Sequence, residues 1–526
     1  MLYAGRHLYS RHQPEQTVSK RVRQVSLQPD TLYVAFSPLL GYGLKQLLAR
    51  LPHGSHVLAI ECIDALAETS HSSGSQLDAI VAEDTERCSL LDAATPLAAA
   101  RMLQALGVSR FRRVSTVALS GGEQLARDSY AEIALALDTE VRTHWQNRLT
   151  LIAMGQLWAR NLIENLARLP RAADAASLST NAAVVVCGAG PTLSDHLPWL
   201  RAHRDHFVLI AVDTAMATLC AAEISPDFVF ILEAQHANLA DFVPCLHPTL
   251  PIIADLTSSP AVLRLFHGPR YLYSSEYAPV SVLTRLREYG LLPLPMRPLG
   301  SVGVAAVAAA LEITSALVIA IGLDFAYTHN LTHARGAPSH LARLTAGSRL
   351  TPPLTSQADA IYRRPLLQAR SKDGGTVLSD LVLDSYALQL RRLSEGGARV
   401  FDLAGPGLRI AADTLSPLAA ADLIRATASK PVAPPAAAPS FDRDSVRRFV
   451  QDERRVIQSA LRWLAADLES AIRPLHLQPL DYLYVDMPNA PEQAIPPTQA
   501  FLDRVQLRGD EALRRLERVL RRLSAG

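Results

Sequence analysis

Lysine is nearly absent from this chain, with four residues against 48 arginines among 526. The skew reflects an arginine-favouring composition and not a nucleic-acid surface. The net charge is only +2, and no basic patch with interleaved aromatics occurs. Nucleic-acid binding is therefore not expected. Cysteine is scarce too: Cys62, Cys88, Cys187, Cys220 and Cys245 are odd in number and lack C-x-x-C spacing. That argues against a disulfide framework and against a zinc site, and the five read most simply as small core residues. No long uncharged apolar run exists. The longest, VGVAAVAAALEITSALVIAIGL, carries Glu312, Thr314 and Ser315 near its middle, so it reads as a helix followed by a buried strand and not as a membrane span. The N-terminal MLYAGRHLYSRHQPEQ lacks the apolar centre of a signal peptide. A cytoplasmic chain without a membrane span is expected, and the sequence leaves its oligomeric state open.

Apolar residues make up 49% and charged residues 19%, which is ample for packed cores. The length exceeds one core, and about three domains follow at roughly 100 to 200 residues each. Residues 1–135 read as a small α/β domain. In it TLYVAFSPLLGYGLKQLLARLPHGSHVLAIECIDAL gives strand, turn, helix and a second strand closed by Glu61, and RFRRVSTVALSGG adds another strand. Residues 136–180 turn helical and form a connecting helix. Residues 181–428 hold VVVCG, HFVLIAVD, DFVFILEA, PIIAD, RYLYS, ALVIAIGLD and ARVFDLA, short buried-type strands with helical segments between several of them. Such alternation predicts a parallel sheet covered by helices on both faces. From Thr328 to Ser371 the periodicity weakens into what reads as a lid, a binding loop or disorder. Residues 429–440 are a Pro/Ala-rich linker by composition, and 441–526 read as a helical hairpin divided by a Pro-rich turn.

The stretch VVVCGAGPTLSDHL, from Val184, runs from a strand through Gly188, Ala189, Gly190, Pro191 and Thr192 into a helix. Two glycines let the backbone approach a ligand, Pro191 suits the first helical turn, and the helix N-terminus offers N–H groups to an anion. Thr192, Ser194 or Asp195 supplies the cap. A phosphate fits there; a structural strand-to-helix turn explains the same residues equally well. The dinucleotide fingerprint is disfavoured by Leu193 in place of a third glycine, and a P-loop by the lack of G-K-[ST]. Asp213, followed by Thr214, and Glu233 close the next two strands, where open α/β sheets bind ligands. Asp213 is suited to accept from a ribose or sugar hydroxyl, and Glu233 to do likewise or to hold a cation. Each would equally serve as a cap for the helix that follows. RPLGSVGVAAVAAAL repeats the turn-to-helix device with Gly300 and Ser301, and the strand after it ends at Asp324. Three acids thus stand at strand ends beside two helix N-termini.

These residues together resemble the motility accessory factor (Maf) family, whose core is shared with 6-hydroxymethylpterin diphosphokinase-like proteins. The family pattern G-x-G-P-[ST]-L falls on Gly188 to Leu193, A-x-D-T-A on Ala211 to Ala215, P-D on Pro226-Asp227, and an acid-ended strand on Glu233, where the family usually has Asp. GSVGVAAVAAALEITSALVIAIGLDFAY is similar to the family's glycine- and serine-led helix and following G-x-D strand. GRHLYSRHQPEQTVSKRV and LLGYGLKQLL with VLAIECID resemble its N-terminal elements, with a leucine where the first turn glycine belongs. The resemblance covers about residues 7 to 415.

What the resemblance implies is a central Rossmann-like, sialyltransferase-like domain, with a smaller N-terminal α/β domain and a C-terminal helical domain. The implied activity is transfer of a nonulosonic, sialic-acid-like sugar from a CMP-activated donor to serine or threonine of flagellin, for flagellar assembly. No cofactor is required in that reading, and a divalent metal is optional. The turn Gly188 to Thr192 would hold the CMP phosphate, Asp213 and Thr214 would contact the donor, and Gly300, Ser301 and Asp324 would line the same cleft. Bacterial sialyltransferases of this type carry a base histidine ahead of a late helix, but SKDGGTVLSDLVLDSYALQL contains none. Asp324, Glu233 and His329 are the candidates for the base, with His333 close by. The alternatives are an ATP- and Mg²⁺-dependent pterin diphosphokinase and a non-catalytic flagellin-binding assembly factor.

Overall fold

The computed structural model describes residues 1–71, 75–92, 94–394, 399–411, 413–427, 438–466, 477–487 and 498–525. Most of the linker expected at 429–440, and the Pro-rich turn expected between the C-terminal helices, lie outside the described residues. The chain divides into two compact units, Met1–Leu151 and Ile152–Gly526. Helix α1, Arg127–Asn165, crosses that division in sequence. No helix among the described residues is long and apolar enough to cross a membrane.

The first unit is built on a parallel sheet of β1 (Thr31–Phe36), β2 (His56–Ile60), β3 (Cys88–Leu91) and β4 (Arg113–Ala118), in the order β3-β2-β1-β4. TLYVAF is apolar at nearly every position because both faces of β1 are covered. Tyr33 and Ala35 pack into one core, and Leu32, Val34 and Phe36 into the other. Glu61, just after β2, is fully buried. Its carboxylate accepts from Ser37 Oγ at 2.9 Å, Tyr130 Oη at 2.6 Å and the N–H groups of Cys62 and Ile63 at 2.9 and 3.1 Å. The acid therefore secures its own turn.

The second unit contains a ten-stranded, wholly parallel sheet. Its strands are β5 (Val184–Cys187), β6 (Val208–Val212), β7 (Phe228–Ile231), β8 (Ile252–Asp255), β9 (Arg270–Ser275), β10 (Leu294–Met296), β11 (Val318–Ile321), β12 (Val400–Leu403) and β13 (Asp413–Leu415), with Ala173–Asp174 paired beside β9. All seven strands expected from sequence are present. The spatial order is β10-β9-β8-β7-β6-β5-β11-β12-β13. The chain thus winds outward from β5 in one direction, returns through helix α3 (Val302–Ile313), and winds outward from β11 in the other. Between β5 and β11 the direction reverses, and a crevice opens beyond the strands' carboxyl ends. Helix α2 (Leu193–Ala202) follows β5. Eight of the twelve residues of α3 are buried, and its alanines and glycine let it lie close over the sheet centre.

Two sequence expectations are corrected here. The stretch from Thr328 to Ser371 is not one long loop. It forms helices Pro338–Thr345 and Pro353–Tyr362, each opened by proline in its first turn, and strand Leu366–Arg370, which pairs antiparallel with Thr376–Asp380. The cysteines do not all behave as isolated core residues. Cys88 and Cys187 are buried and free, but Cys220 and Cys245 form a disulfide with Cα atoms 6.4 Å apart. Two short helices, Met216–Ala221 and Leu239–Phe242, bring these distant positions together. His247 Nε2 lies 3.4 Å from Cys220 Sγ, and these three residues are the only group with metal-ligand spacing among the described residues.

Helix α4 (Leu381–Ser394) precedes β12, and the C-terminal helices α5 (Arg443–Ala466) and α6 (Gln499–Ser524) form an antiparallel pair. Leu502, Val505, Gly509, Ala512, Leu516, Val519 and Leu523 recur at three- and four-residue steps and are buried. A Cβ on Gly509 would sit 2.7 Å from Leu461 Cδ1, so glycine allows the close crossing. Glu453 of α5, almost fully buried, takes a two-pronged bond from Arg285 at 2.7 and 2.8 Å and one from Tyr482 Oη at 2.7 Å, fastening the pair to the sheet domain.

Candidate functional site

The crevice between β5 and β11 contains a cavity of about 170 Å³. Its walls come from the Gly188–Pro191 turn, Val212 and Thr214 after β6, Ser301 to Gly303 at the start of α3, Gly322 to Ala326 after β11, Thr332 and His333, and Leu383 and Tyr386 of α4. Sequence positions more than a hundred residues apart are thereby joined beyond the carboxyl ends of two central strands.

The glycines are dictated first by packing of the two turns on each other. A Cβ on Gly188 would lie 2.3 Å from Leu323 Cδ2 and 2.5 Å from the Gly322 carbonyl oxygen; on Gly190 it would lie 2.6 Å from that same oxygen. The N–H of Gly188 donates to Ile321 O at 2.8 Å, and that of Gly190 to Gly322 O at 2.7 Å. Asp324, 1% exposed, accepts from the Thr192 N–H at 2.8 Å, from the Thr192 hydroxyl and from Thr328 Oγ1 at 3.0 Å. Burial raises its pKa, while the Thr192 bonds oppose the rise. Leu193, Ser194 and Asp195 donate their N–H groups to Gly190, Pro191 and Thr192. The donors around the Gly188–Thr192 turn are thus largely consumed by the protein itself.

Helix α3 differs. Its first internal bond is Ala305 N–H to Ser301 O, so the N–H groups of Val302, Gly303 and Val304 find no partner among the described residues. The Ser301 side chain makes no cap bond. The positive end of a twelve-residue helix therefore faces the cavity with free donors and a free hydroxyl. Gly303, which the sequence did not single out, packs closely there: a Cβ would fall 2.3 Å from the Leu323 Cδ2 methyl, which would have to turn aside. Gly300 is held against the Tyr386 ring.

The remaining sequence candidates are placed as follows. Asp213 is buried and does not line the cavity. It accepts from the Thr214 N–H and hydroxyl at 2.8 and 3.0 Å and from Asn238 Nδ2 at 2.9 Å. Burial, then the charge of Asp241, push its carboxyl up to about 6. Its bonds orient Thr214, which does line the cavity. Glu233 accepts from the Gln235 N–H at 2.8 Å, and His329 Nε2 is 2.7 Å from Asp195 Oδ2 on the exposed surface; neither lines the cavity. His333 does. Its Nδ1 is 3.0 Å from Ser339 Oγ, and burial, then the Arg343 charge, lower its pKa to about 4, leaving a neutral imidazole at pH 7. Thr332, Leu383 and Tyr386 also line the cavity without having been singled out from the sequence. For Tyr386 the signal was its place in the histidine-free segment after Asp380.

Residues 160–330 match the family model described as 6-hydroxymethylpterin diphosphokinase MptE-like. An uncharacterized protein of Treponema pallidum (strain Nichols) is 29% identical over 344 residues, which span 64% of this chain and 59% of the relative. A second from the same organism is 30% identical over 103 residues, spanning 18% of this chain and 46% of the relative. Among solved structures, a Maf glycosyltransferase from Magnetospirillum magneticum AMB-1 superposes with a TM-score of 0.51 at 15% identity, covering 99% of this chain and 88% of that one. The resemblance read from the sequence is thereby shown at the level of fold.

Proposed function

We propose that the protein is a glycosyltransferase that moves a nonulosonic sugar from a CMP-activated donor to a serine or threonine hydroxyl of flagellin in the cytoplasm. One observation carries the reading: the free N-terminus of α3 faces a cavity at the sheet's switch point, beside the Gly188–Thr192 turn. The likeness to a chain described as a Maf glycosyltransferase supports it. In this reading the donor phosphate rests on the N–H groups of residues 302–304 and on Ser301. The turn walls it, and Thr214 meets the sugar or ribose. The sugar–phosphate bond breaks with its electron pair leaving on CMP, where the helix end stabilises the growing charge. The acceptor oxygen bonds to the anomeric carbon, and its proton passes to His333. Asp324 is a positioning residue that holds the turn through Thr192. No metal is needed for this balance, and a divalent cation is optional.

The match of residues 160–330 to the diphosphokinase-like model favours one competing reading, in which ATP and a pterin occupy the same cavity. Thermal-shift titration separates the two. CMP and CDP are expected to raise the melting temperature. Stabilisation only by ATP with 6-hydroxymethylpterin would favour the kinase, and no response to either would support a binding factor. With donor and flagellin supplied, His333→Gln is expected to keep CMP binding but to lower the transfer rate by about 10²- to 10⁴-fold. A base must be unprotonated to act, so the parent's rate is expected to fall only as pH drops toward the His333 value of about 4. An acid limb near that of free histidine would exclude His333.

A further inference from the structure

Beside the amino end of β9 in the second unit lies a cavity of about 390 Å³ whose wall carries six arginines: Arg168, Arg171, Arg264, Arg270, Arg443 and Arg522. They come from five places in the chain. Arg168 and Arg171 end the turn after α1, Arg264 follows the Pro260–Leu263 helix, Arg270 opens β9, Arg443 opens α5 and Arg522 lies in the last turn of α6. None of the six forms an ion pair with a carboxylate among the described residues. Arg168 donates to Pro260 O at 2.9 Å and Arg270 to Phe266 O at 2.5 Å, while Arg270 Nε is buried with no partner. Glu164, whose charge acts favourably on Arg168, also pairs with Arg515 and Arg518.

Helix ends account for part of this set, since cations suit helix C-termini and Arg168, Arg171 and Arg522 lie in such turns. Arg264, the C-cap of the Pro260–Leu263 helix, is accounted for in the same way, but Arg443, which stands at a helix N-terminus where positive charge is unfavourable, and Arg270, which opens a strand, are not. Burial, then repulsion from Arg264, Arg270 and Arg522, lower the Arg168 pKa to about 10. Uncompensated like charges converging on a concave surface raise the free energy of the empty site and would be relieved by a bound anion.

We propose that this cavity binds a small polyphosphate-bearing anion, at a site separate from the switch-point cleft. The recess favours a compact ligand, because the six arginines line one hollow of about 390 Å³ instead of spreading along a flat face. Several phosphate oxygens then accept bonds from different arginines, with Arg270 Nε gaining the partner it lacks.

The test is calorimetric titration of the full chain with inorganic tripolyphosphate, using the exposed positions Arg264→Gln and Arg522→Gln so that folding is not at stake. One site per chain is expected, with affinity falling by about tenfold for each substitution, since each removes a charge-assisted bond. Because the substitutions relieve repulsion, the ligand-free melting temperature is expected to stay level or rise. Binding unchanged in the double variant would overturn the proposal. So would a lower ligand-free melting temperature with binding intact, which would mark the arginines as structural caps. Tighter binding of a hexaglutamate peptide than of tripolyphosphate would point to an acidic protein segment and equally overturn it.

Discussion

Gly190 sits where two strand-end turns touch, with its amide 2.7 Å from the Gly322 carbonyl oxygen. A methyl group there would fall 2.6 Å from the same oxygen, which belongs to backbone and cannot swing away. Gly190→Ala is expected to lower the unfolding free energy by about 1–3 kcal/mol, as overpacking does, and to weaken CMP binding; urea unfolding and calorimetry check both. Asp213 offers a second residue-scale prediction. Its carboxyl titrates at about 6 in the folded chain against a reference of 3.8. The folded state therefore holds the proton more tightly, and the residue's contribution to stability is lost as pH rises through about 4 to 6. Between pH about 4 and about 7, Asp213→Asn is expected to gain about 2–3 kcal/mol relative to the parent. Parallel stability profiles for the two would refute the assignment. The sequence made Asp213, Glu233 and Asp324 look alike, as acids at strand ends. Their partners differ, because which lone pairs remain free depends on neighbours such as Asn238 and Thr328 that only folding supplies.

Among the elements, α2 and α3 were legible as two helices that each begin at a glycine-containing turn. Their N-termini are nevertheless unlike. Neither helix has a side-chain cap bond, but the turn before α2 folds back on itself and on Asp324, whereas the first N–H groups of α3 find no partner among the described residues. No sequence motif separates the two cases, since the difference lies in what the turn after β11 reaches. The disulfide is also an element-scale feature, joining the short helix after Asp213 to the segment after Leu239–Phe242. It closes a loop with a sequence separation of 25. Reduction, or the double replacement Cys220→Ser with Cys245→Ser, is expected to cost about 2–4 kcal/mol, measured by denaturant unfolding with and without reductant. An unchanged midpoint would show that the bond is absent in solution.

For the whole molecule, each unit has its own parallel sheet, and the cavity at the switch point is lined wholly by residues of the second. A chain starting at Ile152, where the second unit begins, is therefore expected to fold and to bind CMP within about threefold of the full chain, since every residue lining the cavity is retained. Loss of binding in a folded truncation would mean that the first unit completes the site. The strands were legible from end to end because a parallel sheet covered on both faces demands unbroken apolar runs, and VVVC, VLIAV, FVFI, IIAD and VIAI are such runs. The short strands Leu294–Met296 and Asp413–Leu415 escaped notice because edge positions need less apolar length. The sequence by itself thus determined the α/β class, the seven inner strands and the glycine turns, since periodicity and backbone freedom are local properties. Only the tertiary structure decided the strand order, the pairing of the Gly188–Thr192 turn with Asp324, the free N-terminus of α3 opposite it and the gathering of six arginines. Each of those depends on residues far apart in the chain meeting at a distance of a few ångströms.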